Sequence, residues 1–168
     1  MGWYDGTVFQ ICIARSCRDP GFLQLLSQFL IESGEPLPDT ASFEHLETAI
    51  QMNRIRYFMA LESDQRVVGV VSMTFGFSTV KMQPIALLSD LYVHPGHRSR
   101  GAARALVLAA MDDAHAQGCA WVTSETSQGL EGIFERYGWE HTSTMLRYVP
   151  DLEGPPPSLA LTGDFTFD

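Results

Sequence analysis

The segment from Ile85 to Val107 constrains the fold more than any other stretch of the chain. A run of strand character, Ile85-Ala86-Leu87-Leu88-Ser89-Asp90-Leu91-Tyr92-Val93, leads into a turn, His94-Pro95-Gly96-His97. Then Arg98-Ser99-Arg100-Gly101-Ala102-Ala103-Arg104 opens a helix. From Arg100 to Gln117 the apolar positions Ala103, Leu106, Val107, Ala110, Met111 and Ala114 recur at helical spacing, and Gly118 supplies a C-terminal stop. Such a strand-to-helix junction binds anions. The first N–H groups of a helix have no internal partner and the dipole is positive there, so small residues at 101–103 let a pyrophosphate sit on the backbone, with Arg98 and Arg100 flanking it.

The kind of phosphate ligand is narrowed by spacing. Gly96 and Gly101 match the two glycines of a P-loop, but Ala102-Ala103 stand where Lys-[Ser/Thr] would contact phosphate and magnesium, which argues against an NTPase or kinase. No G-x-G-x-x-G follows a candidate strand and no G-x-S-x-G elbow appears, so the Rossmann and α/β-hydrolase readings fail together. Charge narrows the partners. Eleven Lys and Arg against 20 Asp and Glu give a net charge of −9, which repels nucleic acid and anionic membranes and favours a cationic partner.

The remaining elements fall into place around that segment. At 168 residues the chain makes one ordinary soluble domain that needs neither disulfide nor metal to hold a core. Cys12, Cys17 and Cys119 are odd in number and lack metal-ligand spacing, and the first residues lack a signal pattern, so a reducing cytoplasm is expected. Apolar stretches such as Val67–Val71 are far shorter than the ~20 residues that span a bilayer. Val8–Ala14 reads as a buried strand. Phe22, Leu25, Leu26, Phe29 and Leu30 form a helical stripe ending near Gly34, and Phe43, Leu46, Ala49 and Ile50 form a second, with Thr40 or Ser42 as cap. Residues 57–61, 67–77 and 84–93 read as three strands of an antiparallel meander. Residues 119–124 read as a strand, 130–137 as a short helix ended by Gly138, and 142–149 as a last strand. The domain is expected to occupy 1–149. A Pro-rich linker and tail, 150–168, follow, whose Leu159, Leu161, Phe165 and Phe167 would cover a sheet edge or dock on a second subunit of a homodimer.

In this order of elements the sequence resembles the GNAT superfamily of N-acetyltransferases, whose acyl-CoA motif is [Q/R]-x-x-G-x-[G/A]. Arg98-Ser99-Arg100-Gly101-Ala102-Ala103 matches it, after a Leu91-Tyr92-Val93-x-Pro95 lead-in, and Tyr137-Gly138-Trp139 extends the likeness over most of 8–149. The resemblance implies an α/β (α+β) fold with a mixed, mostly antiparallel central sheet flanked by helices. Acetyl-CoA, as co-substrate, would enter between two splayed strands, the one ending at Val93 and the one at 119–124. Backbone groups of Leu91 and Val93, with Tyr92 between them, would bond the acetyl carbonyl and pantetheine arm, and N–H groups from Ser99 to Ala103 the pyrophosphate. No metal is implied. Phe134 stands where the family often has the Tyr that protonates the departing thiolate, and Ser127 and Leu130 replace the usual Asn and Ala of that cofactor wall. Tyr137 is the alternative acid, against a packing role. The implied activity is transfer of an acetyl group to a primary amine of a small, cationic acceptor by direct attack. The alternative is a catalytically weak acyl-CoA-binding or sensor module.

An amine with a lysine-like pKa of ~10.4 is neutral only about one part in a few thousand at pH 7, a penalty of about 4.6 kcal/mol that a base must relieve. Asp90 precedes Leu91, and strict alternation puts Asp90 and Tyr92 on one face of the strand and Ser89, Leu91 and Val93 on the other. Either Asp90 or a water held by Ser89 would serve, against a purely structural role for Asp90. Glu32 and Glu125 are the next acidic candidates, each read as solvated. Phe75 and Phe77 could wall an acceptor site, though such spacing usually marks core. His94 and His97 read as turn residues rather than a metal pair, since no third ligand lies near.

Overall fold

In a computed structural model of the chain, residues 2–3, 9–125, 134–136 and 138–140 are described. The elements are β1 (Gly2–Trp3), β2 (Gln10–Ile13), α1 (Phe22–Glu32), α2 (Thr40–Gln51), β3 (Ile55–Leu61), β4 (Val67–Ser78), β5 (Gln83–Val93), α3 (Ala102–Ala116) and β6 (Val122–Ser124). Among the described residues they form one six-stranded sheet in sequence order, antiparallel at every pairing except β5–β6, which is parallel.

Burial explains why β4 sits where it does. Val67 to Met73 is buried without interruption, as expected of a central strand covered on both faces. Val70 belongs to a core with Phe22, Leu25 and Leu26 of α1, Ile50 of α2, and Tyr57, Met59 and Tyr92 of the flanking strands. Its neighbour Gly69 points the other way, because a Cβ there would lie 3.1 Å from Leu106 of α3. So α1 and α2 cover one face and α3 the other. The close approach of α3 uses small residues: Ala102, Ala105, Ala109, Ala110 and Ala114 are all buried. Arg56 of β3 ties α3 to the sheet through an ion pair with Asp113 and lies 5.0 Å over the Phe75 ring.

Several expectations are adjusted. The first strand is shorter than Val8–Ala14, and β1 adds to its edge a strand that composition did not reveal, pairing Gly2 with Ile11. Helix α2 is capped neither by Thr40 nor by Ser42. Asp39 does it, accepting 2.8 Å from Ser42 N and 2.7 Å from Ser42 Oγ. The strand expected at 119–124 is confined to Val122–Ser124. Phe77 is not core but 59% exposed. The chain divides into two compact units, 1–126 and 127–168. In the second, Phe134 is buried and meets Trp139 edge-on with ring centroids 5.0 Å apart. The helix expected at 130–137 is described only at Phe134–Arg136, and the strand at 142–149, the boundary near 149 and the tail lie outside the described residues.

Candidate functional site

The regular ladder between β4 and β5 breaks at Asp90. Ser72 pairs with Ser89 and Val70 with Tyr92, so Val71 opposes two residues, Asp90 and Leu91. Asp90 absorbs the extra residue in a left-handed conformation, φ 52, which Asp tolerates better than most residues. The bulge also corrects the simple alternation. Ser89, opposite Ser72, falls on the same side of the sheet as Asp90 and Tyr92, the side covered by α1, rather than with Val93. Asp90 Oδ2 accepts from Ser72 Oγ at 2.6 Å and from Tyr57 OH at 3.4 Å. Burial, with Asp90 beside it, pushes the Tyr57 hydroxyl above the ordinary phenol range, so it stays a donor.

On the other edge of β5 the parallel pairing to β6 runs through Ala86–Val122, Leu87–Thr123 and Leu88–Ser124 and stops there. From Ser89 to Val93 that edge has no strand partner among the described residues. The described pairing thus stops just before Asp90 and the expected acyl-CoA-binding backbone, Leu91 to Val93.

Beyond Val93 the chain makes a single 3₁₀ turn, Pro95–His97, with His94 Nδ1 accepting from Gly96 N at 3.2 Å. Ser99 (φ 61) and Gly101 (φ 90) are both left-handed, and Gly101 is the N-cap of α3. Gly101 is thus not a helix-interior residue. The backbone itself calls for glycine there, and a Cβ would meet nothing within 4 Å. The first intrahelical bond runs from Ala105 N to Gly101 O, and no side chain caps the helix. The N–H groups of Ala102, Ala103 and Arg104 therefore have no hydrogen-bond partner among the described residues and carry the positive end of the helix dipole, an arrangement suited to an anion.

The two motif arginines turn to carboxylates. Arg98 Nε donates to Val93 O at 2.9 Å, its guanidinium pairs with Glu32, and Tyr92 OH donates to the same carboxylate at 3.1 Å. Glu32 is exposed, as expected, and its hydrogen bond with Arg98 in addition holds its carboxyl below the usual range and joins α1 to the loop before α3. Arg100 Nη1 donates to Glu62 Oε1 at 2.8 Å, and His97 Nδ1 lies 3.1 Å from the same oxygen. Burial works against ionisation of Glu62, yet His97 and Arg100 together hold its carboxyl below the ordinary range. The His94 and His97 rings stand 5.4 Å apart, and among the described residues no three His, Cys, Asp or Glu side chains converge as a metal set. Ser127 and Tyr137 lie outside the described residues; Glu125 is exposed. Sequence reasoning missed Tyr57 and Ser72, whose only signal was a hydroxyl at 72 inside the otherwise apolar run 67–73.

The acetyltransferase (GNAT) family model matches residues 20–139. An uncharacterized N-acetyltransferase, YhfO, of Bacillus subtilis is 28% identical over 99 residues, 57% of this chain and 66%, just under two thirds, of that protein. Among solved structures, an aminoglycoside acetyltransferase from an uncultured soil metagenomic sample, in complex with sisomicin, superposes with a TM-score of 0.71 at 20% identity, over 85% of this chain and 97% of that one. A predicted acetyltransferase from Clostridium acetobutylicum, solved with acetyl-CoA, gives 0.69 at 17% identity, over 84% and 96%. At such identities the structures speak for the fold alone. The mostly antiparallel sheet with its parallel β5–β6 pair, the helix start behind Arg98–Ala103 and a family match over most of the chain lead to one conclusion: this protein belongs to the acetyltransferase (GNAT) family, whose members are acyl-CoA-dependent N-acetyltransferases.

Proposed function

We propose that the chain transfers the acetyl group of acetyl-CoA to a primary amine of a small, cationic acceptor, by direct attack in a ternary complex. The observation that supports this reading best is the bulge, where a carboxylate, Asp90, stands two residues past Leu88, the last β5 residue paired to β6 among the described residues. The β5 edge from Leu91 to Val93, without a strand partner among the described residues, would receive the pantetheine arm, and the N–H groups that open α3 the pyrophosphate. Arg98, held by Val93 and Glu32, fixes the loop between the two.

Asp90 takes one proton from the acceptor ammonium, directly or through a water held by Ser89. The neutral nitrogen then attacks the acetyl carbonyl carbon, the C–N bond forms, the C–S bond breaks and CoA leaves as its thiolate. The second nitrogen proton passes to that sulfur or to water. A thiol pKa of ~8.5 makes the thiolate a tolerable leaving group without an acid, which matters because Phe134 has no proton to give. The net charge of −9 supports a cationic acceptor, as does the likeness of fold to an aminoglycoside acetyltransferase.

Phe134 is also the observation that favours a second reading, a catalytically weak acyl-CoA-binding or sensor module. Thiol release separates the two. Polyamines, aminoglycosides, amino acids and peptide N-termini are supplied with acetyl-CoA and free CoA is measured. The transferase releases thiol in proportion to amine; a sensor is stabilised by CoA yet releases none with any of them.

A further inference from the structure

The Asp90 carboxylate is asymmetrically held. Both hydroxyl donors, Ser72 Oγ at 2.6 Å and Tyr57 OH at 3.4 Å, go to Oδ2, while Oδ1 takes no hydrogen bond from a described residue. The donors are built into the sheet rather than borrowed from a loop. Tyr57 and Ser72 are register partners across β3 and β4, and Ser72 is the register partner of Ser89 across β4 and β5, so a row of hydroxyls crosses three strands and ends at the bulge. Ser72 is 1% exposed and sits between Val71 and Met73, where an apolar residue would be the ordinary occupant. Tyr57 is buried as well, its ring edge-on to Phe22 of α1 at 4.9 Å. Two buried hydroxyls on one carboxylate oxygen fix its rotation about the Cβ–Cγ bond, and a left-handed backbone at Asp90 fixes where that bond starts.

We infer that Ser72 and Tyr57 are positioning residues for acetyl transfer, holding Oδ2 of Asp90 so that Oδ1 is left to take the acceptor's proton. This rests on the reading of Asp90 as the base. The other titratable groups on that side of the sheet include Tyr92, two residues along β5, Glu32 of α1, which receives the Tyr92 hydroxyl and pairs with Arg98, Cys17 and Cys12 of the same core, and Glu47, which accepts from Cys17 N. None of these is hydrogen-bonded to Asp90.

The test uses the full chain and three variants, Ser72→Ala, Tyr57→Phe and Ser72→Thr. Removing a donor frees the carboxylate to turn away from the acceptor, so kcat falls by roughly tenfold in Ser72→Ala and by less in Tyr57→Phe, while KM for both substrates stays unchanged. Ser72→Thr, which keeps the hydroxyl, restores kcat. Tyr57→Phe keeps the ring on Phe22, so it stands if Ser72→Ala fails to fold. In an Asp90→Asn background neither deletion lowers kcat further. An unchanged kcat in both deletions, or a loss of kcat that persists undiminished in the Asp90→Asn background, overturns the inference while leaving the base assignment intact. Full activity of Asp90→Asn instead removes the base assignment and leaves the two hydroxyls as a structural tether.

Discussion

Replacing Gly101 by Ala separates the backbone role of this residue from a role in cofactor binding. A Cβ there meets nothing within 4 Å, so the cost to folding comes from the backbone alone. Holding a non-glycine residue at φ 90 costs about 1–2 kcal/mol, which for a domain of this size lowers Tm by roughly 2–8 °C. Gly118, at the far end of α3, is the matched control, with φ 71 and an equally open Cβ position. Both variants lose apo stability alike. With CoA at about a hundred times its Kd, the native state gains about 2.7 kcal/mol, a rise of roughly 5–11 °C. In Gly118→Ala that rise persists. In Gly101→Ala a methyl group is added next to the N–H groups that open α3, and a hundredfold loss of affinity cuts the gain to about 0.4 kcal/mol, near 1–2 °C. Thermal melts with and without CoA decide it. The same CoA-induced rise in both variants refutes the pyrophosphate site at the start of α3.

Three further outcomes follow from individual residues. Glu47 accepts from Cys17 N at 2.8 Å and Ser16 Oγ at 2.9 Å, and hydrogen bonds from Cys17 and Ser16 lower its carboxyl to about 2. A folded-state pKa below the unfolded ~4.3 adds stability above that value and loses it as pH falls, so Glu47→Gln destabilises at neutral pH by an amount that shrinks between about pH 5 and 2 in urea melts; a constant deficit refutes this. With Phe134 unable to protonate the thiolate, kcat/KM climbs across the neutral range and then flattens, and Phe134→Tyr adds an alkaline fall or raises kcat modestly; a bell-shaped wild-type profile shows that another residue supplies the acid. A cationic acceptor attracted by a net charge of −9 loses kcat/KM as salt passes about 0.1 M, where the screening length is ~10 Å, and salt-independent turnover of the best acceptor argues against it.

What the sequence disclosed depended on how local each feature's cause is. The strands β3 to β5 and helix α3 were legible to within about two residues because period-2 and helical stripes are properties of contiguous chain. The strand-to-helix junction at Arg98–Ala103 was legible for the same reason. The bulge at Asp90 was not, since alternation assumes a uniform ladder and the extra residue shows only in the β4–β5 register. Hence Ser89 was placed on the wrong face. The hydrogen bonds of Glu32 were hidden because its partners, Arg98 and Tyr92, lie at least 60 residues away. Asp39 and Ser42 are both good caps, and only the geometry chooses between them. Phe77 obeys a strand's period yet pairs with Pro84 next to the turn of the β4–β5 hairpin, where it is exposed.

The central claim is that a carboxylate at the bulge draws the proton from an amine beside bound acetyl-CoA. Asp90→Asn tests it most directly, because the amide preserves size while abolishing basicity. With the best acceptor at pH 7, the account predicts that kcat/KM falls by about 10²–10⁴-fold while the Kd for CoA stays unchanged. An Asp90→Asn protein that turns over at the wild-type rate contradicts it.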